Sequence, residues 1–241
     1  MAIQRLQCPI VITGGGRRIG LALASHFLTA GQAVIVSYRT RYPEIEQLEH
    51  RGALCLAADF SSEAGISTFA GQVRARATKL RALIHNASQW LPESPDTPLA
   101  TTLATMLQIH VTAPYLLNHQ LSDLLCGQGP AGADIIHFTD YVTGRGSDKH
   151  IAYAASKAAL ENMTLSFARK LAPGVKVNAI APALIMFNPD DDDAYRQQAL
   201  DKSLMKMAPG EQEIVELVNY LLASRYVTGR THHVDGGRHL R

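Results

Sequence analysis

The sequence predicts an α/β domain built on one doubly wound parallel sheet, with helices on both faces. Short apolar runs alternate with helical patterns along the whole 241-residue chain, and three successive glycines follow the first apolar run. No internal repeat, linker or low-complexity tract divides the sequence. Strands that alternate with helices form βαβ units, whose parallel strands are covered on both faces.

Each element follows from a local pattern. Gly31 ends the first helix, since glycine tolerates the backbone conformation that commonly closes a helix. Short apolar runs bounded by glycines, prolines or polar residues predict strands over 8–12, 33–36, 53–56, 82–85, 134–138, 175–180 and 232–234. Helical periodicity predicts helices over 19–29, 44–50, 64–78, 99–125, 151–171 and 211–223. The resulting order is Rossmann-like.

The most irregular stretch is 183–204, which is acidic from Asp190 to Asp193. The aspartates fit a solvated loop and a helix start. Because the stretch follows the carboxyl end of a strand, where open α/β sheets bind ligands, it also fits a flap that covers a substrate.

Composition argues against several classes of function. The 23 Lys and Arg against 21 Asp and Glu form no long basic block, so we expect no nucleic-acid partner. The first residues lack a signal-peptide core and no apolar run reaches the ~20 residues that span a bilayer, so we expect a cytoplasmic protein without a membrane partner. Cys8, Cys55 and Cys126 lack metal-ligand spacing, and we expect no metal site.

The glycine-rich turn after the first strand predicts a dinucleotide site. Glycines let the backbone turn tightly and approach a pyrophosphate, whose charge the following helix N-terminus favours. The residues expected to contact the cofactor here are Gly14, Arg17, Arg18, Ile19 and Gly20.

The end of the second strand favours NADPH over NADH. NAD-binding proteins usually place an acid there for the ribose 2′-hydroxyl, and this chain has none. Tyr38, Arg39, Thr40 and Arg41 follow instead, with Arg17 nearby, and guanidinium groups suit a 2′-phosphate. We therefore predict that Tyr38, Arg39 and Thr40 bind NADPH. The alternative is that these arginines are ordinary surface residues beside a loop.

Tyr153 and Lys157 form a candidate acid–base pair. They stand four residues apart in a predicted helix and therefore share one face. A phenol has a pKa of ~10, and a neighbouring cation lowers it. We expect Lys157 to make Tyr153 a usable general acid or base. The alternative is a tyrosine and a lysine on a solvated helix face, which the nucleotide-binding turn disfavours.

With these motifs the chain resembles the short-chain dehydrogenase/reductase family over essentially its whole length. Asp59, Asn86-Ala87, Pro182 and the closing segment 228–237 extend the resemblance. It implies one domain over 1–241, nucleotide-binding at about 1–130 and catalytic and substrate-binding at about 131–241, and a homotetramer. It also implies NADPH contacts from Asp59, Phe60, Asn86, Ala87, Ser88, Tyr153, Lys157 and Pro182.

Two departures from the family pattern point to a subgroup. Arg18 replaces a glycine of the turn, and Asp140 replaces the catalytic serine, thirteen residues before Tyr153. Pteridine reductases share both features and carry an aromatic residue at the place of Trp90. The chain is most similar to the bacterial dihydromonapterin reductases, through segments 138–141 and 236–241. This implies catalytic roles for Tyr153, Lys157 and Asp140, and substrate contacts from Arg18, Ser88, Trp90, Asp140, Tyr153 and Leu184.

The implied activity is NADPH-dependent reduction of 7,8-dihydromonapterin to tetrahydromonapterin, with some dihydrofolate reduction. Trp90 offers the pterin a stacking face, and Ser88 and Asp140 can hydrogen-bond its edges. One alternative is a carbonyl or 3-oxoacyl reductase, disfavoured because Asp140 replaces the serine that would polarise a carbonyl. Another is a non-catalytic NADPH-sensing protein, disfavoured because a sensor needs no acid at the nicotinamide.

Three alternatives stay open at this point. Trp90 is either a stacking surface or a core or interface aromatic. His110 stands where the family has an asparagine, and it is either a proton relay or a satisfied structural histidine. Either Tyr153 or water protonates N5 of the pterin.

Overall fold

Seven parallel strands form one sheet in the computed structural model, which describes residues 6–126 and 132–241. The strand order is β3-β2-β1-β4-β5-β6-β7. The strands are β1 Ile10–Thr13, β2 Val34–Tyr38, β3 Leu54–Ala57, β4 Ala82–His85, β5 Ala133–Phe138, β6 Val175–Pro182 and β7 Thr231–Val234. The helices are α1 Arg18–Thr29, α2 Pro43–His50, α3 Glu63–Arg76, α4 Leu99–Leu107, α5 Ala113–Leu121, α6 Ile151–Leu171, α7 Asp193–Leu200 and α8 Glu211–Ala223.

The sheet is covered on both faces, as predicted. Successive residues of a strand point to opposite faces, so Ile10 and Ile12 of β1 pack with α1, α2 and α8, whereas Val11 packs with α3, α5 and α6. Each face buries its own apolar cluster. The predicted strands and helices agree with the structure to within two residues at each boundary, with one exception.

The exception is the predicted helix over 99–125. Helix α4 ends at Leu107, a π-helical segment spans Gln108–Thr112, and α5 then continues to Leu121. Pro114 lies at the start of α5 and has no N–H to donate to the preceding turn, which accounts for the altered hydrogen bonding there. The prediction of one continuous helix was wrong, and the π-helical segment places His110 in the interior.

The strand order places the candidate site. The chain adds β2 and β3 on one side of β1 and then β4 and β5 on the other side, so the strand order reverses between β1 and β4. Ligands of open α/β sheets bind beyond the carboxyl ends of strands at such a switch point. Three segments therefore lie together at the carboxyl ends of the strands: the glycine turn after β1, residues 86–90 after β4 and residues 139–144 after β5.

The acidic stretch 183–204, which we call the flap, contains α7. Asp192 caps that helix by accepting a hydrogen bond from the backbone N–H of Tyr195 at 2.7 Å. The helix-start interpretation is therefore confirmed for this aspartate. Among the residues that the structure describes, no helix is long and apolar enough to cross a membrane.

Candidate active site

Thr13 and Asn86 join the ends of β1 and β4. The Thr13 hydroxyl accepts hydrogen bonds from the backbone N–H groups of Asn86, at 3.1 Å, and Ala87, at 3.0 Å. The Asn86 side-chain amide donates to the carbonyl oxygens of Thr13, at 3.1 Å, and Gly14, at 2.8 Å. These bonds fix the glycine turn against the segment after β4, so the two predicted cofactor-binding segments lie side by side.

The backbone of the glycine turn lies so close to neighbouring backbone that only glycine fits at two positions. Gly14 has φ +67°, and a Cβ built on it would lie 2.8 Å from Cα of Ala87. A Cβ on Gly20 would lie 2.4 Å from the Gly14 carbonyl oxygen. Among the described residues, no side chain caps α1, and its first turn holds no acid. Its N-terminal N–H groups and partial positive charge therefore suit an anion such as a pyrophosphate.

Arg18 connects this turn to the flap. Its backbone has φ +53°, a left-handed conformation that favours glycine and explains why a glycine is common at this place. Its guanidinium donates to the Asn188 side-chain oxygen at 2.6 Å and to the Met186 carbonyl at 3.4 Å. Asp191 in turn accepts the backbone N–H of Asn188 at 2.7 Å. The acidic run thus supports the loop that Arg18 contacts.

The arginines near the end of β2 differ in whether their guanidinium groups are already held in an ion pair. Arg41 forms a salt bridge with Glu49, 2.5 Å between nitrogen and oxygen, and donates to the Tyr38 hydroxyl at 3.1 Å. Arg39 is exposed and donates to the Gln89 side chain at 3.1 Å, and the exposed Arg17 lies 5.5 Å from the Tyr42 ring centroid. Arg17 and Arg39 can therefore turn to a 2′-phosphate without breaking an ion pair. Thr40 is exposed beside them.

Asp59 and Phe60 lie beyond β3 and differ in their surroundings. Asp59 is exposed and accepts the backbone N–H of Ser61 at 3.0 Å. The Phe60 side chain is buried and packs edge-on against the Phe69 ring, with centroids 5.5 Å apart. Any contact between Phe60 and a nucleotide must therefore come from its backbone.

The side chains of Tyr153, Asp140 and Lys157 lie close together beside the carboxyl end of β5. The Tyr153 hydroxyl donates to the Asp140 carboxylate at 2.8 Å, and that carboxylate also accepts the backbone N–H of Val142 at 3.0 Å. The Lys157 ammonium donates to the Phe138 carbonyl at 2.7 Å and lies 5.6 Å from the Tyr153 ring centroid. Both Tyr153 and Lys157 are buried. The structure thus brings the three predicted catalytic residues together.

Their protonation differs from the sequence-based expectation. Burial raises the pKa of Tyr153 above its ordinary value, and the adjacent Asp140 carboxylate raises it further. The expectation that Lys157 lowers the pKa of this phenol was wrong for the described structure, because Asp140 contacts the hydroxyl directly whereas the ammonium points to Phe138. Burial lowers the pKa of Lys157 to about 8, against the opposing effect of Asp140. Burial also raises the pKa of Asp140.

His110 is a satisfied, neutral histidine. Burial lowers its pKa to about 2. The Ser156 hydroxyl donates to the Tyr153 carbonyl at 2.7 Å, so it accepts from Nδ1–H of His110 at 2.8 Å. Nε2 of His110 then accepts from the Ser88 hydroxyl at 2.9 Å and from the Gln89 N–H at 3.3 Å. His110 therefore orients the Ser88 hydroxyl, whose hydrogen points to Nε2.

Trp90 is not a core residue, so of the two alternatives to a stacking surface only the interface aromatic stays open. It is 63% exposed, and its ring stacks on that of His150 with centroids 3.9 Å apart. Leu184, two residues after Pro182 of β6, lines a cavity of about 830 Å³ whose lining does not include Tyr153, Asp140 or Trp90. Arg238 of the C-terminal tail lines the same cavity and lies 4.3 Å from the Tyr141 ring centroid.

Several residues of the site were not predicted. Thr13 could have been noticed because it directly precedes the turn, and Arg238 because it lies in a segment that supports the resemblance. Asn188, Glu93 and His150 gave no local signal, since their partners lie far away along the chain.

Comparison with known proteins assigns the family. A family model described as enoyl-(acyl carrier protein) reductase matches residues 15–239. A dihydromonapterin reductase of Klebsiella pneumoniae subsp. pneumoniae is 70% identical over 233 residues, which are 97% of each chain. A dihydromonapterin reductase of Escherichia coli (strain K12) is 66% identical over the same length, again 97% of each chain. The chain belongs to the short-chain dehydrogenase/reductase family.

Solved structures agree with this assignment. A FolM alternative dihydrofolate reductase 1 from Brucella suis, in complex with NADP, has a TM-score of 0.87 and 25% identity, covering 100% of this chain and 97% of that one. An RhlG/NADP active-site complex from Pseudomonas aeruginosa has a TM-score of 0.85 and 26% identity, covering 99% and 98%. The fold predicted from the sequence is therefore confirmed.

Proposed function

We propose that this protein catalyses the NADPH-dependent reduction of 7,8-dihydromonapterin to tetrahydromonapterin. The observation that carries the proposal is the 2.8 Å hydrogen bond from Tyr153 to Asp140. A carboxylate at this place accepts hydrogen bonds and has no hydrogen with which to polarise a carbonyl oxygen, whereas it suits the N–H groups at the edge of a pterin. The high identity to dihydromonapterin reductases over nearly the whole chain supports the same substrate.

The residues described above fit NADPH as the cofactor. The uncapped start of α1 and the tight turn at Gly14 and Gly20 suit the pyrophosphate. Arg17 and Arg39 suit the 2′-phosphate, since neither is held in an ion pair that the structure describes. Lys157 would bind the nicotinamide ribose. NADP in the complexes of structural relatives supports this choice.

The substrate contacts stay those that the sequence suggested. Trp90 offers a flat ring beside the site, Ser88 and Asp140 offer hydrogen-bonding groups, and Leu184 lies where a side chain of the pterin could extend. Arg18 would contact both the pterin and the phosphates, from its place between the turn and the flap.

The chemistry adds hydride to C6 of the C6=N5 imine and a proton to N5. When bound, NADPH supplies the hydride. Asp140 keeps Tyr153 a neutral phenol whose hydroxyl proton points at the carboxylate, and the raised pKa makes Tyr153 a weaker acid than the sequence suggested. Either this proton or one from water reaches N5, and the Tyr153→Phe variant described below distinguishes them.

The assembly and location of the protein are part of the proposal. We propose a cytoplasmic homotetramer, with the nucleotide bound by about 1–130 and the substrate by about 131–241, as the family resemblance implies. Light scattering on the purified protein measures the oligomeric state. A mass other than that of four chains contradicts the homotetramer.

One assay series tests the function. NADPH oxidation is measured with dihydromonapterin, dihydrobiopterin, dihydrofolate, a 3-oxoacyl ester and a simple activated ketone, and NADH is compared with NADPH. We expect the highest kcat/KM with dihydromonapterin and NADPH. Efficient reduction of the ketone or the ester without activity on any pterin would replace this proposal with a carbonyl reductase, and no turnover at all would favour a non-catalytic NADPH-binding protein.

A further inference from the structure

The loop that carries Trp90, residues 88–93, is joined to the start of the catalytic helix. His150 directly precedes the first residue of α6, and its ring stacks on that of Trp90 with 29° between the planes. Its Nδ1 lies 3.3 Å from the Leu91 carbonyl oxygen, which places an N–H donor on that nitrogen. His150 therefore contacts the loop in two ways, through the indole and through the backbone.

Glu93 makes the same connection from the loop side. Its carboxylate accepts the backbone N–H groups of Ile151, at 3.0 Å, and Ala152, at 2.8 Å. These bonds hold the pKa of Glu93 below its usual range, and a negative charge at a helix N-terminus is favourable. Tyr153 is the next residue of the helix, so the loop and the candidate acid are fixed relative to each other.

The stack leaves Trp90 ready for a second flat ligand. The indole is 63% exposed, and within the described part of the chain His150 is the aromatic ring that contacts it. An exposed tryptophan without a neighbour samples several rotamers, and ordering it on binding costs affinity. A ring covered on one face and open elsewhere is already oriented for stacking.

We propose that His150 is a positioning residue that holds Trp90 as the stacking surface for the pterin ring. This inference rests on the proposed pterin reductase function. His150 acts through Trp90 and need not touch the substrate. Its side chain makes no capping hydrogen bond to α6 among the described residues, so replacing it leaves the start of that helix intact.

Kinetics of two variants test the proposal. His150→Ala removes the stack and should raise the KM for dihydromonapterin about 3- to 10-fold, the range expected for one aromatic pair, with kcat and the KM for NADPH little changed. His150→Phe keeps a stacking ring and should recover most of the pterin affinity. His50→Ala, at the exposed end of α2, is the matched control and should match the wild type.

Fluorescence supplies a second readout that a merely structural role would not move. Trp90 is the single tryptophan of the chain, so tryptophan emission, excited at wavelengths where the eight tyrosines do not absorb, reports on this ring alone. Without its neighbour in His150→Ala, the indole should be quenched more readily by acrylamide, and His150→Phe should restore the protection. The pterin itself should quench the wild type at lower concentration than it quenches His150→Ala.

The outcomes separate this inference from the function on which it rests. If the wild type reduces dihydromonapterin and His150→Ala keeps the wild-type KM, the positioning role is refuted and the function stands. Equal impairment of His150→Phe and His150→Ala also refutes it, because stacking would then not matter. A wild type that ignores dihydromonapterin refutes the proposed function, and the positioning role with it.

Discussion

Among single residues, Asp140 has the largest influence on the candidate site. It accepts a hydrogen bond from the Tyr153 hydroxyl, it is buried, and it opposes the loss of charge on Lys157. The four-residue spacing of Tyr153 and Lys157 could be predicted from the sequence because a helix fixes it. The sign of the Tyr153 pKa shift could not, because burial and the distance to Asp140 depend on tertiary packing.

Replacing Tyr153 by Phe removes only a hydroxyl. We expect kcat to fall ~10²- to 10⁴-fold if Tyr153 donates the proton to N5, while the Kd for NADPH stays close to that of the wild type. Steady-state kinetics with dihydromonapterin and NADPH titration measure the two quantities. Near-wild-type turnover would show that water protonates N5 and that Tyr153 only positions ligands.

The lowered pKa of Lys157 leads to a prediction of how activity depends on pH. Its pKa of about 8 means that the ammonium loses its proton above that pH, so kcat/KM for NADPH should decline there. The effect on stability has the opposite sign. Between about 8 and the ordinary 10.5 the folded state holds fewer protons at Lys157 than the unfolded state, so its contribution to the free energy of unfolding rises with pH.

Two parallel measurements check this. Kinetics and thermal unfolding are recorded on the same samples from neutral to alkaline pH. A decline in kcat/KM without a matching fall in Tm supports the titration of Lys157. A flat kinetic profile to well above pH 8 contradicts the lowered pKa.

At the scale of elements, the ends of helices and strands position the site, and most of these ends could be predicted. Helix starts and stops have local signals, and the strand ends follow from short apolar runs. The break after Leu107 was missed although Pro114 marked it, because the apolar pattern continues across the π-helical segment. The contact between the glycine turn and the flap had no such signal, since Arg18 and Asn188 lie 170 residues apart.

That contact leads to a prediction for the flap. Asn188→Ala removes the acceptor of the 2.6 Å hydrogen bond from Arg18 and should raise the KM for dihydromonapterin about 2- to 10-fold, as expected for one such bond. NADPH affinity should change less, because Arg18 stays at the turn. Gln198→Ala, on an exposed position of α7, is the control. Equal KM values for both variants would mean that the flap does not contribute to pterin binding.

On the scale of the whole molecule, one doubly wound sheet explains why distant segments form one site. The order of strands and helices and the glycine turn were sufficient to predict this topology, because parallel crossovers restrict the possible strand orders. At the amino ends of the strands, opposite the candidate site, Asp134 of β5 pairs with Arg81 at 2.5 Å and with Lys176 of β6 at 2.6 Å. The buried carboxylate of Asp134 is thus paired with two cations, Arg81 directly before β4 and Lys176 in β6.

This buried cluster should contribute strongly to stability. Asp134→Asn removes the charge between two largely buried cations and should lower the free energy of unfolding by about 3–5 kcal/mol. Asp123→Asn is the control, because its pair with Arg74 is exposed and should be worth at most about 1 kcal/mol. Urea unfolding measures both. Similar losses in the two variants would contradict the importance of burial.

The central claim is that hydride reaches C6 of a dihydropterin at this site. The most direct measurement uses NADPH deuterated at the transferable position of nicotinamide C4, with dihydromonapterin as substrate, followed by NMR of the product. We expect tetrahydromonapterin with deuterium on C6 and a solvent-derived proton on N5. Deuterium at another carbon, or recovery of unreduced dihydromonapterin while NADPH reduces a ketone under the same conditions, would contradict the account.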